Sequence, residues 1–275
     1  MIRTFTLEWL KLRHYRIFWV LFGIYLLAQL AITSGGIFFL EWLKNMGADF
    51  NGIDPTIVPI YDFPDIWQNT TWLGSFAKIL ISFIVIISVN NDLTNNTMRQ
   101  NIIDGVSKKE FILSKFSLIV FLAAICTLVL FLSGLITGLI YSSVTDLKYI
   151  FDELEYLLAY FYQLVAFSML AFLFALIIKK AGFVIVFLFF YSYFLEWVVT
   201  LFLEYADFVK DQTAWMVKFF PVYSINNLID VPFPKYILRE VQNDVLWHEW
   251  LIVTGWIAVF TALIVYRLNK KDLKA

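Results

Sequence analysis

The sequence predicts an all-α polytopic membrane protein with six transmembrane helices, and three observations predict it. Of the 275 residues, 61% are hydrophobic and only 16% are charged, a balance foreign to ordinary soluble domains. The apolar residues gather into six continuous runs, each near the ~20 residues that cross about 30 Å of hydrocarbon. None of the runs alternates apolar with polar positions, which excludes a β-barrel. Aromatic residues reach 19%, as interfacial belts require. A net charge of −1 gives no support to a nucleic-acid partner.

The elements follow in order. Residues 1–16, MIRTFTLEWLKLRHYR, place Ile2, Phe5, Trp9 and Leu12 on one helical stripe, with Arg3, Lys11 and Arg13 off it. That pattern predicts an amphipathic helix lying on the inner membrane surface, the alternative being a plain basic anchor. The spans are expected at 17–39, 72–89, 116–141, 157–178, 183–203 and 247–266. A cleaved signal peptide does not fit the first run, whose basic lead-in is too long and which lacks a small-x-small cleavage site. The larger outside segments are expected at about 33–71 and 204–246, loop 90–115 lies between spans two and three, and no separate soluble domain interrupts residues 1–275. Within 204–246, KFFPVYSINNLIDVPFPKYI is too apolar for a free loop and too broken by proline to span. It predicts short re-entrant or outer-face helices between spans five and six.

Orientation follows from Lys and Arg. Fourteen of them flank one side: Arg3, Lys11, Arg13 and Arg16, then Arg99, Lys108, Lys109 and Lys115, then Lys179 and Lys180, then Arg267, Lys270, Lys271 and Lys274. Six flank the other, at Lys44, Lys148, Lys210, Lys218, Lys235 and Arg239. Basic residues concentrate on the cytoplasmic side, so both termini and loop 90–115 are expected there.

Two charged residues lie deep inside the runs, beyond Glu249 at the edge of the last. Lys78 sits roughly 9 Å into span two at 1.5 Å per residue, and Glu196 lies in the outer half of span five. Burying either alone costs about 2.5–3.5 kcal/mol on insertion scales. They form a possible intramembrane polar pair, against the alternative that each reaches its own interface. Gly134 and Gly138 make a G-x-x-x-G in span three, a spacing that permits close packing. The lone Cys126 reads as a small core residue. His14 and His248 fall at opposite membrane faces, and His248-Glu249 lacks the second histidine of H-E-x-x-H, so no metal site is expected. Asn69-Thr70-Thr71 matches a glycosylation acceptor on the outer side.

Loop 90–115 is the most carefully punctuated stretch. MRQNII, residues 98–103, makes a short helix that Asp104-Gly105 ends, because glycine accepts the left-handed conformation past a helix terminus. Ser107 then caps the next helix, Glu110 completes a capping box, and Val106 and Phe111 form a hydrophobic staple. Such devices contribute about 0.5–2 kcal/mol each and hold a loop helix at a defined angle. They suit a loop through which position or force passes, although a tidy connector would carry them too.

The stretch Asp92, Asn96-Thr97, Arg99, Gly105, Ser107-Lys108 and Lys115 resembles the signature of ABC-2-type transporter permeases, the membrane-spanning subunits of ATP-binding cassette transporters. It departs from the family pattern at Asn96, where glycine is usual, and at Asp92, where glutamate is. The amphipathic first helix, six spans and proline-containing outer segment are similar to the family's layout. The resemblance implies a permease domain over residues 1–275 whose ATPase-coupling element comprises Asp92, Thr97, Arg99, Gly105, Ser107, Lys108, Glu110, Phe111 and Lys115. Arg99, Lys108 and Phe111 are the expected contacts with a cytoplasmic ATPase. It also implies a homodimer, or a heterodimer with a similar permease, in the plasma (inner) membrane.

No G-x-x-x-x-G-K-[ST] occurs, so the chain supplies no P-loop. It is expected not to be an enzyme and to hold no cofactor, with ATP and Mg bound by the partner ATPase. The leading expectation is the permease of an ATP-driven exporter; the alternative is a secondary transporter or channel working without an ATPase.

Overall fold

The computed structural model describes residues 2–46, 60–95, 97–103, 105, 107–205, 213–232 and 244–270, and its regular elements are all helical. The helices are α1 (Ile2–Arg13), α2 (Arg16–Asn45), α3 (Ile66–Gly74), α4 (Lys78–Thr94), α5 (Thr97–Ile103), α6 (Lys108–Tyr141) and α7 (Leu147–Ile150). They continue as α8 (Glu155–Ile177), α9 (Ala181–Phe190), α10 (Glu196–Tyr205), α11 (Pro221–Asn227) and α12 (Trp247–Lys270). Among the described residues, six stretches are long and apolar enough to cross a membrane, and each overlaps a predicted run. The chain is an all-α polytopic membrane protein.

Two spans are interrupted. Span two is α3 and α4 joined by a 3-10 turn at Ser75–Ala77, and span five is α9 and α10 joined by a π turn at Tyr191–Leu195. Each interruption ends where a charged residue opens the next helix, Lys78 in α4 and Glu196 in α10. A π turn inserts an extra residue into the ladder and re-aims the side chains that follow.

Span two begins earlier than hydropathy predicts. Gln68, Asn69, Thr70 and Thr71 are buried in α3, because their polar groups find backbone acceptors. Thr70 Oγ1 donates to Ile66 O and Thr71 Oγ1 to Trp67 O, both at 2.6 Å, and Asn69 Nδ2 donates to Ile60 O at 2.7 Å. A hydroxyl bonded to its own preceding turn crosses apolar surroundings at little cost. The same burial corrects the glycosylation reading: Asn69 is interior and its amide is engaged.

Helix α8 is the hub, packing against α4, α6 and α12. Its span is 78% buried, whereas spans one, five and six are 22% buried and present their apolar side chains outward. The Tyr25 and Tyr160 hydroxyls meet at 2.6 Å between α2 and α8, so that two polar groups satisfy each other in the core. The G-x-x-x-G of α6 receives aromatic rings rather than a helix backbone. A Cβ on Gly138 would run into the Phe63 ring, 2.7 Å from Cε2, and one on Gly134 would lie 3.1 Å from Cζ3 of Trp67. Trp67 stacks on Phe131 and donates Nε1 to Ile150 O at 2.9 Å, fastening α3 between α6 and the turn before α8.

Candidate functional site

Two devices of the turn between spans two and three are built as their sequence specifies. Gly105 has φ +92°, the left-handed conformation that only glycine adopts cheaply. Ser107 Oγ accepts from Glu110 N at 3.2 Å, and Glu110 Oε2 accepts from Ser107 N at 2.7 Å, a complete capping box. Asn96, Asp104, Val106 and the Arg99 side chain lie outside the described residues, and with them the Asp104 helix stop, the Val106 staple and the Arg99 contact.

Directly beneath this turn, four charges from three helices converge. Lys115 Nζ of α6 lies 2.6 Å from Glu8 Oε2 of α1 and 2.5 Å from Asp92 Oδ2 of α4. Lys11, one turn along α1, lies 3.1 Å from Asp92 Oδ1 and 3.3 Å from Glu8 Oε1. Ser88 Oγ accepts from Lys115 at 2.8 Å and donates to Glu8 Oε2 at 3.4 Å. The Lys115 ammonium also sits 5.4 Å from the Phe111 ring centroid. Two cations face two carboxylates, so the cluster is neutral, and it is enclosed: Glu8, Asp92 and Lys115 are 3%, 4% and 1% exposed. At the rim, burial pulls the Lys11 pKa down, but the Glu8 and Asp92 carboxylates outweigh it and hold the ammonium above its ordinary value. Removing one partner of such a buried set strands the others and costs about 3–5 kcal/mol. The cluster therefore locks α1, the end of α4 and the start of α6 into one piece. A cavity of about 290 Å³ opens beside it, lined by Lys11, Tyr15, Asn91, Asp92, Asn95 and Thr97 among others.

The sequence-predicted residues thus divide. Asp92 and Lys115 are internal, joined to each other. Phe111 is 3% exposed and packs under Lys115, so it is no surface for a partner, a correction to its reading as a contact. Lys108 Nζ donates to Leu268 O at 2.9 Å and Asn269 O at 3.4 Å, taking the last carbonyls of α12. Gly105, Ser107 and Glu110 are exposed, and Thr97 is half-buried. Two residues escaped sequence reasoning. Ile103, at the end of α5, is 75% exposed. Glu8 lies three residues after Phe5 and four before Leu12, on the apolar stripe itself, which was its signal.

A second polar cluster surrounds α11. Lys78 Nζ donates to Asn226 Oδ1 at 2.5 Å, and Gln163 Nε2 to Asn226 O at 3.3 Å. Glu196 Oε1 accepts from Tyr223 N at 2.6 Å, and Glu249 Oε1 from Asn227 Nδ2 at 2.8 Å. The Tyr223 N–H belongs to the first turn of α11, where amides lack helical partners and a carboxylate is favoured. Lys78 and Glu196 therefore do not pair directly. Each is claimed by α11, one near its end and one at its start, because the interruptions of spans two and five aim both at it.

Among the described residues, no group of His, Cys, Asp and Glu side chains forms a metal site. A search among curated proteins gave no match. A family model described as "ABC-2 family transporter protein" matches residues 4–195. The matched portion holds all four charges of the first cluster and ends one residue before Glu196. With the match spanning more than half the chain, and six spans joined by the capped turn over its ion cluster, the chain belongs to the ABC-2 family of transporter membrane proteins.

Proposed function

We propose that this permease subunit works as an ATP-driven exporter coupled to a separate cytoplasmic P-loop ATPase, which binds the ATP and Mg. Two permeases, identical or similar, enclose the transport path in the plasma membrane, with both termini and the capped turn on the cytoplasmic side. Membership of the ABC-2 family supports the coarse assignment, and the excess of basic residues on one side supports the orientation.

The observation that carries the coupling is the buried Glu8–Asp92–Lys115 cluster beneath the Ser107 capping box. A lever must be stiff where it is pushed. In this reading the ATPase grips α5 and the exposed side of the turn through Ile103, the Lys109 ammonium and the Arg99 side chain. The ion cluster passes that displacement to α1, α4 and α6 together. Phe111 and Lys115 serve as the lever's interior rather than its contact surface.

The test is purification of the tagged chain in mild detergent from its native membrane, with ATP hydrolysis assayed on what co-purifies. A P-loop ATPase is expected in the complex. Ile103→Asp, an exposed change that leaves the fold intact, is expected to lower its recovery at least about tenfold, since burying an unpaired charge at an interface costs several kcal/mol. A well-folded chain that carries no ATPase and no hydrolysis would end this reading in favour of a secondary transporter or channel.

A further inference from the structure

We propose that the groove between the last turns of α8 and α12 binds the phosphodiester headgroup of an anionic phospholipid. The groove holds about 290 Å³ and is lined by Lys179, Arg267 and Lys270 above an apolar floor of Leu176, Ile177 and Leu268. Three cations converge without a lining carboxylate, and none of the three enters an ion pair among the described residues. Three like charges at one groove repel one another and favour an anion between them.

The end of α12 would ordinarily oppose an anion, because the last carbonyls of a helix carry partial negative charge. Here Leu268 O and Asn269 O are occupied by the Lys108 ammonium, which adds a fourth positive charge behind the groove. Lys270 is held 5.8 Å from the Tyr266 ring, over the outward surface of α12. Below the cations, Tyr266, Leu263 and Val259 are exposed along that surface. An anionic head beside the basic residues and acyl chains along these side chains match the two halves of a phospholipid. A free phosphate would use only the upper half. The volume suits a phosphate with its glycerol, at the small end of ligand sites.

The test is native mass spectrometry of the full-length chain in detergent, titrated with phosphatidylglycerol or phosphatidylcholine. Each basic residue near an anionic headgroup strengthens binding about fivefold, so the wild type is expected to retain phosphatidylglycerol at least about tenfold better. K179Q/R267Q/K270Q is expected to lose that preference. R13Q/R16Q/K109Q, which removes the same charge elsewhere, is expected to keep it, as is the charge-conserving K179R/R267K/K270R. Equal loss in both neutralised variants would show diffuse attraction and overturn the proposal, as would retention in the first. Should the first variant fail to fold, loss of preference in the charge-conserving one overturns it equally. Millimolar inorganic phosphate is expected to leave the lipid bound; its displacement by phosphate would make the groove a soluble-anion site instead. Lipid retention is read without transport or ATP hydrolysis, so it stands or falls apart from the coupling reading.

Discussion

The two buried polar clusters solve the same problem in opposite ways. Around Lys115, every charge faces an opposite charge, and the set is neutral and closed. Around α11 the partners are neutral: Lys78 donates to an amide oxygen, Glu196 accepts from the Tyr223 and Val222 N–H groups and the Tyr191 hydroxyl, and Glu249 accepts from a side-chain amide and a backbone N–H. Full ion pairs in a low-dielectric interior are costly to separate, whereas hydrogen bonds to neutral partners can be exchanged for others of similar strength. The first cluster is built to move as a block. The second holds a short helix by contacts that can be traded. Under the coupling proposed above, the rigid cluster stands where force would enter, while the contacts of α11 leave that helix free to shift.

The sharpest way to break this contrast is Lys115→Met. It strands Glu8 and Asp92 and is expected to lower stability by about 3–5 kcal/mol in detergent-denaturant unfolding. Neutralising all three as E8Q/D92N/K115M should recover part of that loss, because no bare charge then remains buried. Unfolding of the single variant at the wild-type midpoint would remove the idea of a locked block. Next in size, Gly138→Ala drives a methyl into the Phe63 ring and should cost about 1–3 kcal/mol, with Gly134→Ala costing less. Equal costs at both positions would mean that the rings do not set the spacing.

Lys78→Met tests the other side of the comparison. It gives up one bond to an amide but also removes a buried charge, so stability should change by no more than about 1 kcal/mol. A loss matching that of Lys115→Met would erase the distinction between the clusters. Smallest of all is the alkaline limb governed by Lys11. Its folded pKa stands above the ordinary 10.5, so its contribution is intact below pH 10.5 and is lost as pH rises through the folded value. Lys11→Gln should therefore differ from wild type below that range and converge on it above; a constant offset at every pH would contradict this.

Much of this fold was legible because its signals are local. Continuous apolar runs marked the spans, Gly105 marked a left-handed turn, and Ser107 with Glu110 marked a cap four residues wide. Partnerships across the bundle were not legible. The acidic and basic ends of the signature, Asp92 and Lys115, could be named, but nothing in their spacing says that they touch each other or that Glu8 completes them. Polar residues 68–71 delayed the predicted start of span two, since sequence does not reveal that their hydroxyls and amides bond to backbone. Lys78 and Glu196 were correctly singled out by their cost in a membrane. Their partners depend on a π turn and a 3-10 turn that no propensity announces.

Lys108 and Lys115 stand two turns apart on α6, about 10 Å along its axis. One fastens the end of α12 and the other fastens α1. A single stretch of helix thus clasps the first and the last helices described. During synthesis α6 emerges with its Glu8 partner already made, but its Lys108 partner appears only after span six has been translated. The clasp between α6 and α1 can therefore close once span three is made, whereas the clasp between α6 and α12 waits for span six.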